Sequence, residues 1–535
     1  MVSAKKLKTG ESFVSGVLEH LPAMPTTNAE NVYANDFGRK PLEVDRSKPL
    51  VFQVLELEEG IDDEGHGLVH VFGASEDGCP LMLIIHTFKH YFYYPRPEGF
   101  KIEDLDPLRE YLNGHFPDEG NVIGGIEIHR KSVQWATNKQ EFLKIILESH
   151  SMVRRARDVI KFGRCDYRGL FKEPKLTYES DVPYLTRFML DTKVVPFAWV
   201  EIDANKYEVV EETARKSTCL EFSASSEDVK VIERQNRLTL TMAPLRFLSF
   251  DIETMVGEPV RQWDGKYKRP FPKAETEPVL QIGCTVSRRT SIRSLEGTTE
   301  PPFLRCVFAL DKCADIPGAR VYWFSDEKTL LKEWSRFVRE IDPDVVLGFN
   351  SLKFDLPYLL QRARILGLTD FGKLGRFKEG TITYLQDERP RSWQDVPYFV
   401  GRLNVDVFHC AFRKNCPGPD GKFTLQSISE RFLGDGKEGV TADMIPDLQK
   451  GDPNTRKTLA IYCMKDTYLA QQLCDKLDSI HYYMEMVRKH HVPFVWLTVR
   501  ENTSQVTNRL REAGERYIVE DPSSHPYLYS PMYTQ

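Results

Sequence analysis

The 535-residue chain predicts a mixed α+β and α/β fold: a β-rich amino-terminal module, then a mixed sheet flanked by helices. Three observations carry this expectation. From Pro49 the sequence alternates strand-like runs with Gly and acidic turns. From Ala243 three further strand-like runs are followed by a strongly amphipathic helix and an almost wholly apolar strand. The composition, 41% hydrophobic and 28% charged, is that of a soluble chain able to bury large cores.

Up to residue 48 the chain is polar with scattered prolines and reads as an extended arm. Residues 49–240 read as one α+β module, with strands in "PLVFQVLELEE", "LVHVFGA", "LMLIIHTF" and "YFYYPRP", a helix over about 138–160, and strand-like material again through "RFMLDTKVVPFAWVEID". Residues 241–490 form the second module. There "LRFLSFDIE", "PVLQIGCTVS" and "RCVFALDK" are expected to make a meander. A helix follows, capped by Asp326, with Leu330, Leu331, Trp334, Phe337, Val338 and Ile341 on one stripe. "DVVLGFN" is the next, buried strand, and residues 491–535 read as a helical tail returning toward the amino-terminal module.

Several function classes are excluded. No apolar run approaches the ~20 residues that span a bilayer, and "MVSAKKLKTGESF" lacks the apolar core of a signal peptide. The ten cysteines contain no CxxC pair, which argues against a structural zinc site and for reduced intracellular thiols. A net charge of −6 gives no global attraction to a polyanion, so any nucleic-acid contact must use local basic surface such as "RRAR" at Arg154 or "KYKRP" at Lys266.

The acidic residues fall in three places. In "FLSFDIETM" Asp251 and Glu253 are two residues apart, so on a strand they share a face while Phe250 and Ile252 take the other. They are either a solvated strand end or a pair awaiting a cation. Asp355, in "GFNSLKFDLPYLLQRA", lies just before a helix with Pro357 in its first turn. It serves either as an N-cap or as a ligand beyond the carboxyl end of a strand. Tyr462 and Asp466, in "AIYCMKDTYLAQQL", are i, i+4 on a helix and form either a surface pair or part of a site. Converging, these carboxylates would suit two hard cations, which prefer oxygen ligands, better than a general acid–base pair.

"FDIET", "GFNSLKFDLPYLLQRA" and "YCMKDTYLAQQL" resemble, in order and spacing, the three exonuclease motifs of family B DNA polymerases. "HTFKHYFYYPRPEGF", "FTLQSISERFLG" and "HHVPFVWL" extend the resemblance over nearly the whole chain, toward the delta-like members. It implies a ribonuclease H-like 3′→5′ exonuclease domain with a family B amino-terminal domain. Asp251 would bridge two Mg2+ ions (Mn2+ as an alternative), Glu253 and Asp466 would complete the first, Asp355 would hold the second partly through water, and Tyr462 would aim the attacking water. Asn350 would brace a loop, and Asp406 is read as structural. Lys353 stands where relatives usually carry asparagine, a departure where the substrate strand would be held.

The polymerase strings "SLYPS" and "DTD" are absent, so the chain is not expected to polymerise DNA alone. The implied partners are a single-stranded or frayed 3′ DNA end, a separately encoded palm and thumb half, and replication accessory subunits, in a nuclear or viral replication compartment and without a membrane. A non-catalytic DNA-binding or assembly subunit of a split polymerase is the competing reading.

Overall fold

The computed structural model describes residues 27–28, 39, 42–500 and 518–519, except 134–138, 172–175, 233–240, 262, 264, 266, 292–300, 381, 383–395 and 437–438. Most of the arm expected over 1–48 and of the tail expected over 491–535 lies outside the described residues.

After β1 (Thr27–Asn28), the strands β2 (Leu50–Ile61), β3 (Gly67–Ser75) and β4 (Pro80–Ile85) pair as an antiparallel meander. β5 (His90–Pro95), α1 (Leu105–Asn113), β6 (Ile123–Val133), β7 (Lys139–Leu147) and α2 (Val153–Lys161) follow. Then come α3 (Tyr184–Thr192), β8 (Trp199–Ile202), β9 (Tyr207–Val209), β10 (Leu220–Ala224) and β11 (Val229–Ile232). One sheet has the order β11-β8-β2-β3-β4-β10-β9, and β5 and β6 flank β7 in another.

Two elements differ from expectation. The helix read over 138–160 is a strand in its first half, because Leu143, Ile145 and Leu147 are buried at period two and pair with both neighbours. "RFMLDT", read as strand-like, belongs to α3, whose residues Tyr184 to Leu190 are all buried. A helix covered on all sides loses the polar stripe that would mark its period.

The second half is built on β12 (Thr241–Thr254). The short strands β13 (Val260–Arg261) and β14 (Tyr267–Lys268), then β15 (Val279–Ser291), β16 (Leu304–Leu310), β17 (Arg320–Phe324), α4 (Glu327–Ile341), β18 (Val345–Gly348), α5 (Asp355–Ile365) and β19 (Leu403–Asp406) follow. α6 (Val407–Arg413), α7 (Leu425–Leu433), α8 (Ile445–Lys450), α9 (Pro453–Lys476), α10 (Ser479–His490) and β20 (Ile518–Val519) end the chain as described. The sheet order is β1-β17-β16-β15-β12-β18-β19. β12, β15 and β16 form the expected meander, whereas β17 and β19 are parallel strands not anticipated from their short runs.

Helices cover both faces, which is why β12 is apolar on both. Leu248, Phe250 and Ile252 join Trp334, Phe337 and Leu359 in one core; Leu245 and Phe247 join Leu469 and Leu473 in the other. Each such side chain contributes about 1.5–3 kcal/mol on burial. Asp326 caps α4 by accepting from Thr329 N, as the sequence predicts. All ten cysteines are free, and among the described residues no helix is long and apolar enough to cross a membrane.

The two halves are joined at Glu56 of β2. Its buried carboxyl accepts from the amides of Phe494 at 3.0 Å and Val495 at 2.8 Å, and desolvation pushes its pKa up to about 8. The folded protein therefore holds a proton that the unfolded chain releases near its ordinary value of 4.5. The stability this group confers is complete below that value and is lost as pH rises toward about 8. Thermal melting of wild type and Glu56→Gln across this range checks it: the wild-type midpoint should fall more steeply with pH, by roughly 5 °C in total.

Candidate active site

β12 is paired with β15 from Leu245 to Thr254, but with β18 only at Phe247 to Ser249. Past Ser249 that flank is open because β18 ends at Gly348. The Ile252 amide, which β18 does not reach, donates to Asp355 Oδ1 at 3.0 Å. Asp355 therefore does not cap its helix: the N-cap of α5 is Phe354, without a side-chain cap bond. A buried backbone donor must be satisfied, and a carboxylate from another element does so here.

The turn that delivers Asp355 is held from β19. Asp406 accepts from the amides of Asn350 at 2.8 Å, Phe408 at 3.1 Å and Leu352 at 3.3 Å, and burial pushes its pKa up to about 6. Asn350 adopts φ +63°, and its carbonyl accepts from Lys353 N and Phe354 N. Both residues brace the loop. Lys353 is exposed within this turn, two residues before Asp355. Further along α5, Arg362 donates from Nε to Glu327 of α4 at 2.8 Å, and Glu327 also accepts from Val279 N at 2.8 Å. This buried pair ties the helix carrying Asp355 to α4 and to the start of β15.

The third element is α9, whose N-cap Asp452 accepts from Asn454 N and Thr455 N ahead of Pro453. It lies on the face of β12 that bears Ser249, Asp251 and Glu253. Ser249 Oγ donates to Thr467 O at 2.8 Å, and Thr285 Oγ1 meets Thr467 Oγ1 at 2.8 Å. Gly283 is the register partner of Asp251, and its amide donates to Cys463 Sγ at 3.1 Å. A Cβ at Gly283 would sit 2.9 Å from that sulfur and 3.2 Å from the Cys463 carbonyl, so only glycine admits the helix this close.

Cys463 reports where the acids meet. Burial pushes its thiol well above the ordinary value, and Asp251, Glu253 and Asp466 push it the same way. Ligand atoms of Asp251, Glu253 and Cys463 lie within 4.8 Å of one another. The thiol suits a hard cation poorly, since a soft sulfur is a weak ligand for one, and it is already engaged by Gly283 N and by contact with the Asp251 carbonyl at 3.5 Å. The remaining donors are carboxylate oxygens, the set that fits Mg2+ or Mn2+.

The structure sets Asp251 and Glu253 beside Cys463, on which Asp466 of the same helix also acts, and bonds Asp355 to the amide between Asp251 and Glu253. Glu253, Asp355 and Asp466 are buried and Asp251 is half-buried. Tyr462 is half-buried one turn before Asp466, packed beside Leu280 and Leu459. Cys463 and Gly283 escaped the sequence reading, although an isolated glycine in the apolar run "QIGCTV" is itself a signal of close backbone approach. The basic run at Arg154 is largely answered within its own module: Arg155 pairs with Glu119, and Arg157 with Asp158 and Asp181.

Residues 175–428 match the model of the DNA polymerase family B exonuclease domain. This chain carries a family B exonuclease domain. The DNA polymerase delta catalytic subunit of Glycine max is 33% identical over 504 residues, covering 89% of this chain and 44% of that protein. The corresponding subunit of Candida albicans is 33% identical over 86% of this chain and 42% of its own length. A solved family B DNA polymerase from the archaeon Pyrobaculum calidifontis superposes with a TM-score of 0.59 at 20% identity, over 88% of this chain and 51% of that one, and shares the fold. The chain spans about 44% of the length of the first of these relatives. Exonuclease domains of this family are metal-dependent, and the acidic group around Asp251 is of the kind that holds a metal.

Substitutions at two positions test how the family B exonuclease domain holds this site. Gly283→Ala should lower stability by about 1–3 kcal/mol, because α9 has to lift off the sheet. Asp355→Asn keeps an acceptor for the Ile252 amide and should melt near wild type, whereas Asp355→Ala orphans that buried donor at a cost of about 1–3 kcal/mol. Denaturant titration of the three variants measures both.

Proposed function

We propose that this chain is the 3′→5′ exonuclease, proofreading portion of a delta-like family B DNA polymerase, hydrolysing the 3′-terminal phosphodiester of a single-stranded or frayed DNA end with two Mg2+ ions. The observation that carries the reading is the 3.0 Å bond from Ile252 N to Asp355 Oδ1, since it draws the α5 carboxylate to the residue that separates Asp251 from Glu253. Residues 49–240 are its amino-terminal domain and 241–490 its exonuclease domain.

Asp251 would hold both ions, Glu253 and Asp466 would complete the first, and Asp355 would hold the second. The bond from the Ile252 amide to Asp355 Oδ1 fixes that carboxylate beside Asp251 and Glu253. When bound, the ions supply electrostatic stabilisation of the attacking and leaving oxygens. The Tyr462 hydroxyl orients the water. The water oxygen bonds to phosphorus and gives up a proton, the bond from phosphorus to the 3′ oxygen of the penultimate nucleotide breaks, and that 3′ oxygen takes up a proton. A nucleoside 5′-monophosphate leaves. A palm and thumb half, accessory subunits and a nuclear or viral replication setting are partners and surroundings by analogy with the relatives.

A 5′-labelled single strand incubated with Mg2+ should be shortened from its 3′ end with release of mononucleotides, and chelation should stop it. Asp251→Ala with Glu253→Ala should lower the rate at least about a thousandfold, and Tyr462→Phe about a hundredfold. Equal shortening by the double variant and wild type would overturn the reading and leave the non-catalytic DNA-binding subunit in its place.

A further inference from the structure

β13 and β14 form a two-stranded hairpin, Val260 opposite Lys268 and Arg261 opposite Tyr267, between the strand that carries Asp251 and Glu253 and its partner β15. Its base is tied to the segments that flank the carboxylate strand and precede Asp355. Met255 N donates to Pro278 O at 2.9 Å where the segment leaves and rejoins the sheet. Arg269 donates to Gly257 O at 2.9 Å and to Asp443 Oδ1 at 3.0 Å, just ahead of α8. The Phe271 ring meets Phe354 edge-on at 5.1 Å, immediately before Asp355 in the chain.

The outer part of the hairpin is the reverse of what folding favours. Trp263 is 99% exposed and Tyr267 71% exposed, with Val260 and Phe271 also exposed. Scattered exposed apolar residues are ordinary, but here two open rings share one hairpin with the exposed cation Arg261. In a chain of net charge −6, aromatic rings together with a cation beside a carboxylate site have the chemistry of a base-stacking and phosphate-holding surface.

Resting on the nuclease reading, we propose that this hairpin is a stacking platform for the bases of the single DNA strand whose 3′ end enters the carboxylate site. Trp263 and Tyr267 take base faces, and Arg261 answers a phosphate beside them. Carboxylates repel a polyanion, so a strand reaching them needs attractive contacts on its approach, and the hairpin is the element that joins that approach to the site.

The test is binding without hydrolysis. The full chain in chelator is titrated against a fluorescein-labelled dT12 strand by anisotropy. Trp263→Ala with Tyr267→Ala should weaken binding by about tenfold or more, and Trp263→Phe with Tyr267→Phe should retain most of it. On a dT12 analogue with abasic sites the wild type and the double alanine variant should bind equally, because no bases remain to stack. Equal binding of dT12 by both overturns the proposal. So does loss of self-association in sedimentation with DNA binding unchanged, which would make the rings a contact between copies. The Asp251→Ala, Glu253→Ala chain should bind dT12 with the same dependence on the two rings, so failure of hydrolysis and failure of stacking are told apart.

Discussion

Like charges buried side by side repel, and the carboxyl-terminal half of this molecule is organised around carrying that repulsion. Asp251, Glu253, Asp355 and Asp466 come from a strand, the start of one helix and the middle of another. The elements that carry them are held by other groups. α9 is held by Ser249, Thr285 and the amide of Gly283, and α5 by the Arg362–Glu327 pair and the Asp406 brace. The scaffold confines the charges, and a cation would relieve them.

Much of this was legible in the sequence because the acids lie in elements with strong local signals. Alternation puts Asp251 and Glu253 on one face of β12, Pro357 marks the first turn of α5, and the i, i+4 spacing of Tyr462 and Asp466 fits α9. What stayed hidden is tertiary. The preference of Asp for N-caps gives Asp355 a local role, and only the missing β18 partner beyond Ser249 gives it the cross-element one. The register that sets Gly283 opposite Asp251 cannot be read from either strand alone. α3 and β7 were misread for complementary reasons: complete burial erased a helical stripe, and a strand lay next to a helix without a Gly or Pro between Lys139 and Lys161.

The amino-terminal arm takes part in the same framework through Arg39. Arg39 and Arg376 reach Asp344, which also accepts from Arg246 N at the start of the run that becomes the acidic strand end. Arg376 and Arg402 are wholly or almost wholly buried, and with Arg39 they answer Asp342, at the end of α4, and Asp344, just before β18. Such a network yields little net stability, because desolvation offsets attraction, but losing one partner strands a buried charge. Its place between α4 and β18 orients the strand whose early end leaves the Ile252 amide open.

Cys463 lies sealed between α9 and β15, while of the ten cysteines only Cys416 has partial solvent access. An alkylating reagent will find the sealed sulfur only when the helix lifts from the sheet. The molecule thus carries its own opening gauge at the seam between α9 and β15, and the modification rate at that single position counts how often the seam breathes.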